Sequence, residues 1–107
     1  MTKPPRTEDE ADRELEEAVR WYEARRSGLG AELLAAVDIT LEQIVHFPAT
    51  GSPVPKVPAE LPVRRRAVEK FPYYVVYLET TSAIRVLAFA HTRRRPGYWL
   101  TRTESRK

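Results

Sequence analysis

The chain is 107 residues long, 42% hydrophobic and 31% charged, with no cysteine; this suits one soluble globular domain over residues 1–107 and excludes disulfides, zinc–thiolate sites and cysteine nucleophiles. Its net charge of +3 conceals a segregation, because residues 1–45 carry six Lys or Arg against eleven Asp or Glu, and residues 46–107 carry twelve against four. A basic second half suits a polyanionic partner, although a solvated basic edge gives the same count. The leading segment MTKPPRTEDEAD lacks the apolar stretch of a signal peptide, and the longest strongly apolar run, YYVVYL, is far short of a bilayer span. A cytoplasmic protein without membrane contact is therefore expected.

In chain order, Thr7 and Glu10 have capping-box spacing, and the acidic run EDEAD suits the positive end of a helix dipole. Ala11, Leu15, Ala18 and Tyr22 then align on one helical face, which Trp21 widens, and Ser27 with Gly28 ends the helix. Leu33, Leu34, Val37, Leu41, Ile44 and Val45 form the stripe of a second helix, with Glu32, Asp38 and Glu42 outside it and a stop at Phe47 before Pro48. Two such helices predict an antiparallel hairpin that needs a partner layer. Residues 48–62 hold five of the nine prolines and read as an extended connector.

Three β-rich runs follow, at 63–71, 73–79 and 84–91, with Pro72 and the turn TTSA between them. They predict an antiparallel meander. Period-two alternation puts Ile84, Val86, Ala88 and Ala90 on the helix-facing side of the last run, and Arg85, Leu87, Phe89 and His91 on the other. The fold class is thus α+β: an N-terminal helical hairpin on a small antiparallel sheet, closed by a short basic tail or helix.

Two histidines without ligand spacing predict no metal, and four scattered glycines supply no phosphate loop, so no cofactor is expected. Ser27, Ser52, Ser82 and Ser105 read as turn or tail residues rather than nucleophiles. What remains is a basic and aromatic set: Arg64, Arg65 and Arg66 on one strand, then His91, Arg93, Arg94, Arg95, Tyr98, Trp99 and Arg102. Guanidiniums bind phosphate and rings stack on unpaired bases, which suits single-stranded or distorted RNA. Arginine stabilises charge but hardly ever releases its proton, so His91 is the acid or base candidate. Two plainer readings stand beside these: His91 as a strand-end histidine bonded to the backbone, and Tyr98 with Trp99 as the apolar plug that docks the tail.

The order of a helix containing WYE, GLGxELL opening a second helix, a strand carrying RR, FPYxVxY at Phe71–Tyr77 and HxRRxPxYW at His91–Trp99 resembles the RelE/ParE superfamily of bacterial type II toxin–antitoxin toxins. The likeness runs from about Ala11 to Arg102. It implies the same α+β fold with a first strand before the hairpin; here TKPPRTE is polar and proline-bearing, so within residues 1–10 that strand is short, absent or supplied by a partner.

RelE-like members cut messenger RNA in the ribosomal decoding site, and ParE-like members poison DNA gyrase. Carried over by the resemblance, Arg65 falls near the first of two strand lysines, Ala67 near the second, and Tyr74 takes the place of a strand arginine. Arg93 matches the arginine after the last strand, and Tyr98, or Trp99, the terminal tyrosine. The resemblance thus implies Arg65, Arg93 and Tyr98 as catalytic residues of an incomplete ribonuclease set; residue chemistry adds His91 to them and gives Arg64, Arg66, Arg94, Arg95, Trp99 and Arg102 as nucleic-acid contacts. Three functions stand open: an mRNA endoribonuclease on the ribosome, a gyrase inhibitor acting by binding, and a degenerate toxin kept for antitoxin binding. Each implies a cognate antitoxin, expected to fold across a basic sheet with Leu87 and Phe89 exposed.

Overall fold

Gly28 sets the turn on which the hairpin folds back. In the computed structural model, which describes residues 3–58 and 60–104, helix α1 spans Asp9–Arg25 and helix α2 spans Leu29–His46. Gly28 sits between them at φ 92°, a left-handed conformation that costs glycine nothing. Its N–H donates to Oε2 of Glu23, and the Gly30 N–H donates to Oε1 of the same carboxylate, both at 2.9 Å. Glu23 thereby satisfies two orphan donors at the start of α2. These two bonds, Gly28 first, hold its carboxyl below the usual range.

The start of α1 departs from the expected capping box. Thr7 belongs to a short strand, β1 (Pro5–Thr7), and the N-cap is Glu8, with no side-chain cap bond. The cause is pairing: β1 runs parallel to the last strand, and the Glu8 N–H still donates to the Val86 carbonyl, which holds the chain extended one residue longer. The first turn keeps its acidic residues Asp9, Glu10 and Asp12. Burial, then the neighbouring Asp9 and Glu16, raise the Asp12 carboxyl.

The connector is more structured than its prolines suggest. Pro48–Thr50 forms a 3₁₀ turn, and Ser52–Pro53 forms a two-residue strand, β2, so Ser52 lies in a strand rather than a turn. Residue 59, in the same connector, lies outside the described residues, as do residues 1 and 2 and the tail serine Ser105. Strands β3 (Val63–Ala67), β4 (Tyr73–Glu79) and β5 (Ile84–His91) form the expected meander. β3 stops at Ala67, earlier than the run to Phe71, because the chain reverses through Lys70 at φ 71° and the Val68 N–H returns to the Tyr73 carbonyl. The sheet order is β1-β5-β4-β3-β2; with β1 parallel to β5, the sheet is mixed rather than wholly antiparallel.

Strict alternation along β5 fails at one residue. Tyr77 pairs with Val86 but Val76 pairs with Ala88, leaving Leu87 as an extra, bulged residue. Beyond the bulge the faces exchange. Ile84, Val86 and Phe89 pack in the helix-facing core with Leu33, Val37 and Ile44, whereas Leu87, Ala88 and Ala90 pack on the far face. The expected placement of Ala88 and Ala90 toward the helices is therefore reversed.

The far face carries a second core. Val54, Val57 and Leu61 of the connector and Trp99 and Leu100 of the C-terminal segment cover Leu87, Ala88 and Ala90. The two core residues predicted to be exposed for a partner, Leu87 and Phe89, are 0% and 4% exposed. Conversely Trp21, assigned to the α1 core face, is 53% exposed, and Leu34 is exposed on α2. The tail ends in a 3₁₀ turn, Leu100–Thr103.

Candidate anion-binding cleft

Strand residues alternate between faces, so the three guanidiniums of β3 take different partners, although Arg65 and Arg66 both line an open cleft beside Thr50, Gly51 and Ser52. Arg64 donates to the Gly51 carbonyl at 2.8 Å, and Arg66 donates to Gln43 of α2 and to the Thr50 hydroxyl, at 3.0 and 2.8 Å. Both guanidiniums stitch the connector to the rest of the fold. Arg65 points to the far face and stacks 4.1 Å from the centroid of Tyr74. Of the three, it alone lines a cleft of about 220 Å³ that also receives Tyr74, His91, Arg94, Arg95, Tyr98 and Trp99.

The C-terminal segment is placed by a carboxylate that sequence reasoning missed. Oε1 of Glu14 accepts the Phe89 N–H at 3.2 Å and an Arg102 N–H at 2.9 Å, and Oε2 accepts the Tyr98 hydroxyl at 2.6 Å. Arg102 also donates to the Leu87 carbonyl at 2.9 Å. β1 pairs only with the first half of β5, so the edge groups of Leu87 and Phe89 would otherwise lack partners, and Glu14 with Arg102 supplies them. The available signal was position: Glu14 falls on the same α1 stripe as Ala11 and Ala18, where a carboxylate must find partners.

Arg85, on the opposite side of the bulge, performs a related task. It donates to the carbonyls of Arg102, Thr103 and Glu104, at 2.7, 3.2 and 3.1 Å, and fixes the end of the final turn.

These contacts reassign several candidates. Arg102 is a structural link between α1, β5 and the tail, and its guanidinium is largely buried. Trp99 is 1% exposed and is the apolar plug of the second core, so it presents no face to a base. Burial first, then its bond to Glu14, push the Tyr98 phenol well above the ordinary range, and its hydroxyl donates to that carboxylate. Its ring instead carries Arg94, whose guanidinium lies 3.9 Å from the centroid. His91 accepts the Arg93 N–H at Nδ1, 3.1 Å away, and meets Tyr73 edge to face, so the backbone-bonded reading holds and Nε2 is left as a donor. Arg93 itself lies on the exposed turn and lines neither neighbouring cleft.

The cleft therefore unites Arg65, His91, Arg94, Arg95, Tyr98 and the buried Trp99 from the predicted set, adds Tyr74, and omits Arg64, Arg66, Arg93 and Arg102. Three guanidiniums and one imidazole, two of the guanidiniums lying over tyrosine rings, attract a polyanion. Among the described residues no group of three metal-ligating side chains occurs, and no helix is long and apolar enough to cross a membrane.

Against known proteins, a chain of the "Chromosomal ParDE TA system from P. aeruginosa" superposes with a TM-score of 0.71, covering 84% of this chain and 96% of that one at 14% identity. The two chains share a fold. No protein-family model matches the sequence, and no curated protein matches it. The likeness is one of architecture, a helical hairpin on a five-stranded sheet.

Proposed function

We propose that the chain is the toxin of a bacterial type II toxin–antitoxin module, and that its far-face cleft acts on ribosome-bound messenger RNA as an endoribonuclease. The observation supporting this is the convergence of Arg65, His91, Arg94 and Arg95 between the rings of Tyr74 and Tyr98. Stacked guanidiniums are preorganised to bind phosphate and to stabilise the charge that develops at phosphorus. With Nδ1 accepting the Arg93 N–H, His91 presents an Nε2–H that donates to a phosphoryl oxygen as the 2′-oxygen attacks the adjacent phosphorus; one water takes the 2′-hydroxyl proton and another protonates the departing 5′-oxygen. The structural neighbour comes from a ParDE TA system, and a cognate antitoxin partner is part of the same proposal. With Leu87 and Phe89 buried, that partner meets the arginines of the cleft rather than an apolar sheet.

A second reading, inhibition of DNA gyrase by binding alone, is favoured by one feature: the Tyr98 hydroxyl and the Arg102 guanidinium are both committed to Glu14, and Nδ1 of His91 is committed to the Arg93 N–H. Cell-free translation with primer extension separates the two readings. Cleavage of ribosome-bound transcripts supports the first. Intact transcripts together with loss of gyrase supercoiling at micromolar protein support the second.

A further inference from the structure

A second cleft, of about 380 Å³, opens between α1 and the end of β5, and the reading above leaves it unused. One wall is aromatic: Trp21, Tyr22, Tyr73 and His91 follow one another with centroid separations of 4.9, 6.4 and 5.2 Å, each pair meeting edge to face. Trp21 is 53% exposed, and Arg25 lies over its ring at 4.1 Å, a large apolar surface with no core to serve. Besides Glu14, which is committed to Arg102, Tyr98 and the Phe89 N–H, two opposite charges share this cleft. Glu17 is exposed on α1 and makes no hydrogen bond or ion pair with any described residue, unlike Glu14 one turn before it. Arg94 stands on Tyr98 across the opening.

Rings for stacking, a carboxylate that only accepts and a guanidinium that only donates together define a ligand: a flat heterocycle with two adjacent donors on one edge and two adjacent acceptors on another. Guanine has that pattern, with N1–H and N2–H for a carboxylate and O6 and N7 for a guanidinium. Adenine puts an acceptor, N1, beside its single amino donor, where a carboxylate repels it. A basic peptide side chain would be drawn by Glu17 and the rings but repelled by Arg94. His91, Arg94 and Tyr98 line both clefts, so a base held here leaves its phosphate beside Arg65 and Arg95.

We infer that the α1–β5 cleft is a base pocket that selects guanine next to the phosphate bound in the adjoining cleft, with Glu17 as the specificity-determining residue. This rests on the RNA reading of the basic cleft.

The test is fluorescence anisotropy of the full chain with labelled pentauridylate RNAs in which the central base is G, A, C or U. The expected result is roughly tenfold tighter binding of the G-containing RNA, the scale of one bidentate base contact. In Glu17→Ala the G-containing RNA should bind no more tightly than the all-U RNA. Quenching of exposed Trp21 on binding should report occupancy, because Trp99 is buried. Equal binding of all four RNAs, or a G preference that survives Glu17→Ala, overturns the inference and leaves the RNA reading standing. Failure of every RNA to bind overturns the inference, and primer extension in translating extract decides separately whether the RNA reading stands. Quenching of Trp21 by an N-acetyl-lysine amide and not by any RNA assigns the pocket to a basic peptide instead.

Discussion

Replacing Glu14 by alanine should unfasten the C-terminal segment. The substitution removes the acceptor for Arg102, for the Tyr98 hydroxyl and for the Phe89 N–H at once. The Arg102 and Glu14 side chains are only 14% and 19% exposed, so the guanidinium left behind is a largely buried, uncompensated charge. Deleting one partner of such a pair costs about 3–5 kcal/mol, much of it the penalty on the partner that remains. Against the roughly 5–15 kcal/mol that holds a domain of this kind together, the loss is large. Urea denaturation in a Trp21→Phe background, followed by the emission of buried Trp99, reads it directly. Glu17→Ala, one turn along the same helix and exposed, should move the midpoint by less than about 0.5 kcal/mol equivalent. If Glu14→Ala cost under about 1 kcal/mol, the claim that this carboxylate docks the tail would be wrong.

Three further outcomes follow from the packing and ionisation. Tyr98 has its folded pKa raised above 10.0, so the stability it contributes is whole below that pH and is lost as pH climbs beyond it; a melting series from pH 8 to 12 should show alkaline unfolding that Tyr98→Phe reduces, and an unchanged alkaline limb in that variant would count against the assignment. Gly51→Ala drives a Cβ into the Tyr77 hydroxyl, which bonds the Gly51 N–H and the Pro48 carbonyl, and should cost about 1–3 kcal/mol in thermal or urea unfolding. Ile44→Ala, fully buried in the helix-facing core, should cost about 2–5 kcal/mol, whereas Trp21→Ala should leave stability nearly unchanged; equal losses for the two would mean that Trp21 belongs to the core after all.

The strands and helices were legible because their signals are local. β4 and β5 follow their β-rich runs to the residue, and α2 stops at Phe47 before Pro48, where the ring forbids continuation. The misreadings share one origin, in contacts made far along the chain. Thr7 was drawn out of a capping box by pairing with Val86, 79 positions away. The Leu87 bulge inverted the faces of β5, and nothing in IRVLAFAH announces an extra residue. Covering the far face took Trp99 and the connector valines together, segments 42 to 45 residues apart for Trp99 with Val57 and Val54.

The candidate site was legible as a composition and not as a geometry. Clustered arginines, a histidine and rings marked the right strand end, and Arg65, Arg94 and Arg95 do meet there. Alternation along β3 then divides Arg64 and Arg66 from Arg65, while Arg102 is claimed by Glu14, a partner on the first helix. Counting guanidiniums overstates the cleft's charge because several of them hold the fold.

The central claim is that Arg65 and Arg94, each stacked on a tyrosine at the shared cleft, grip the phosphates of a target RNA. The most direct measurement compares the wild type with the Arg65→Ala, Arg94→Ala double variant in translating extract, with primer extension mapping the transcript ends. The wild type should give new ends and arrested synthesis, and the double variant intact transcripts while melting at nearly the same temperature. A double variant that cuts as well as the wild type, or a wild type that leaves every transcript whole, would contradict it.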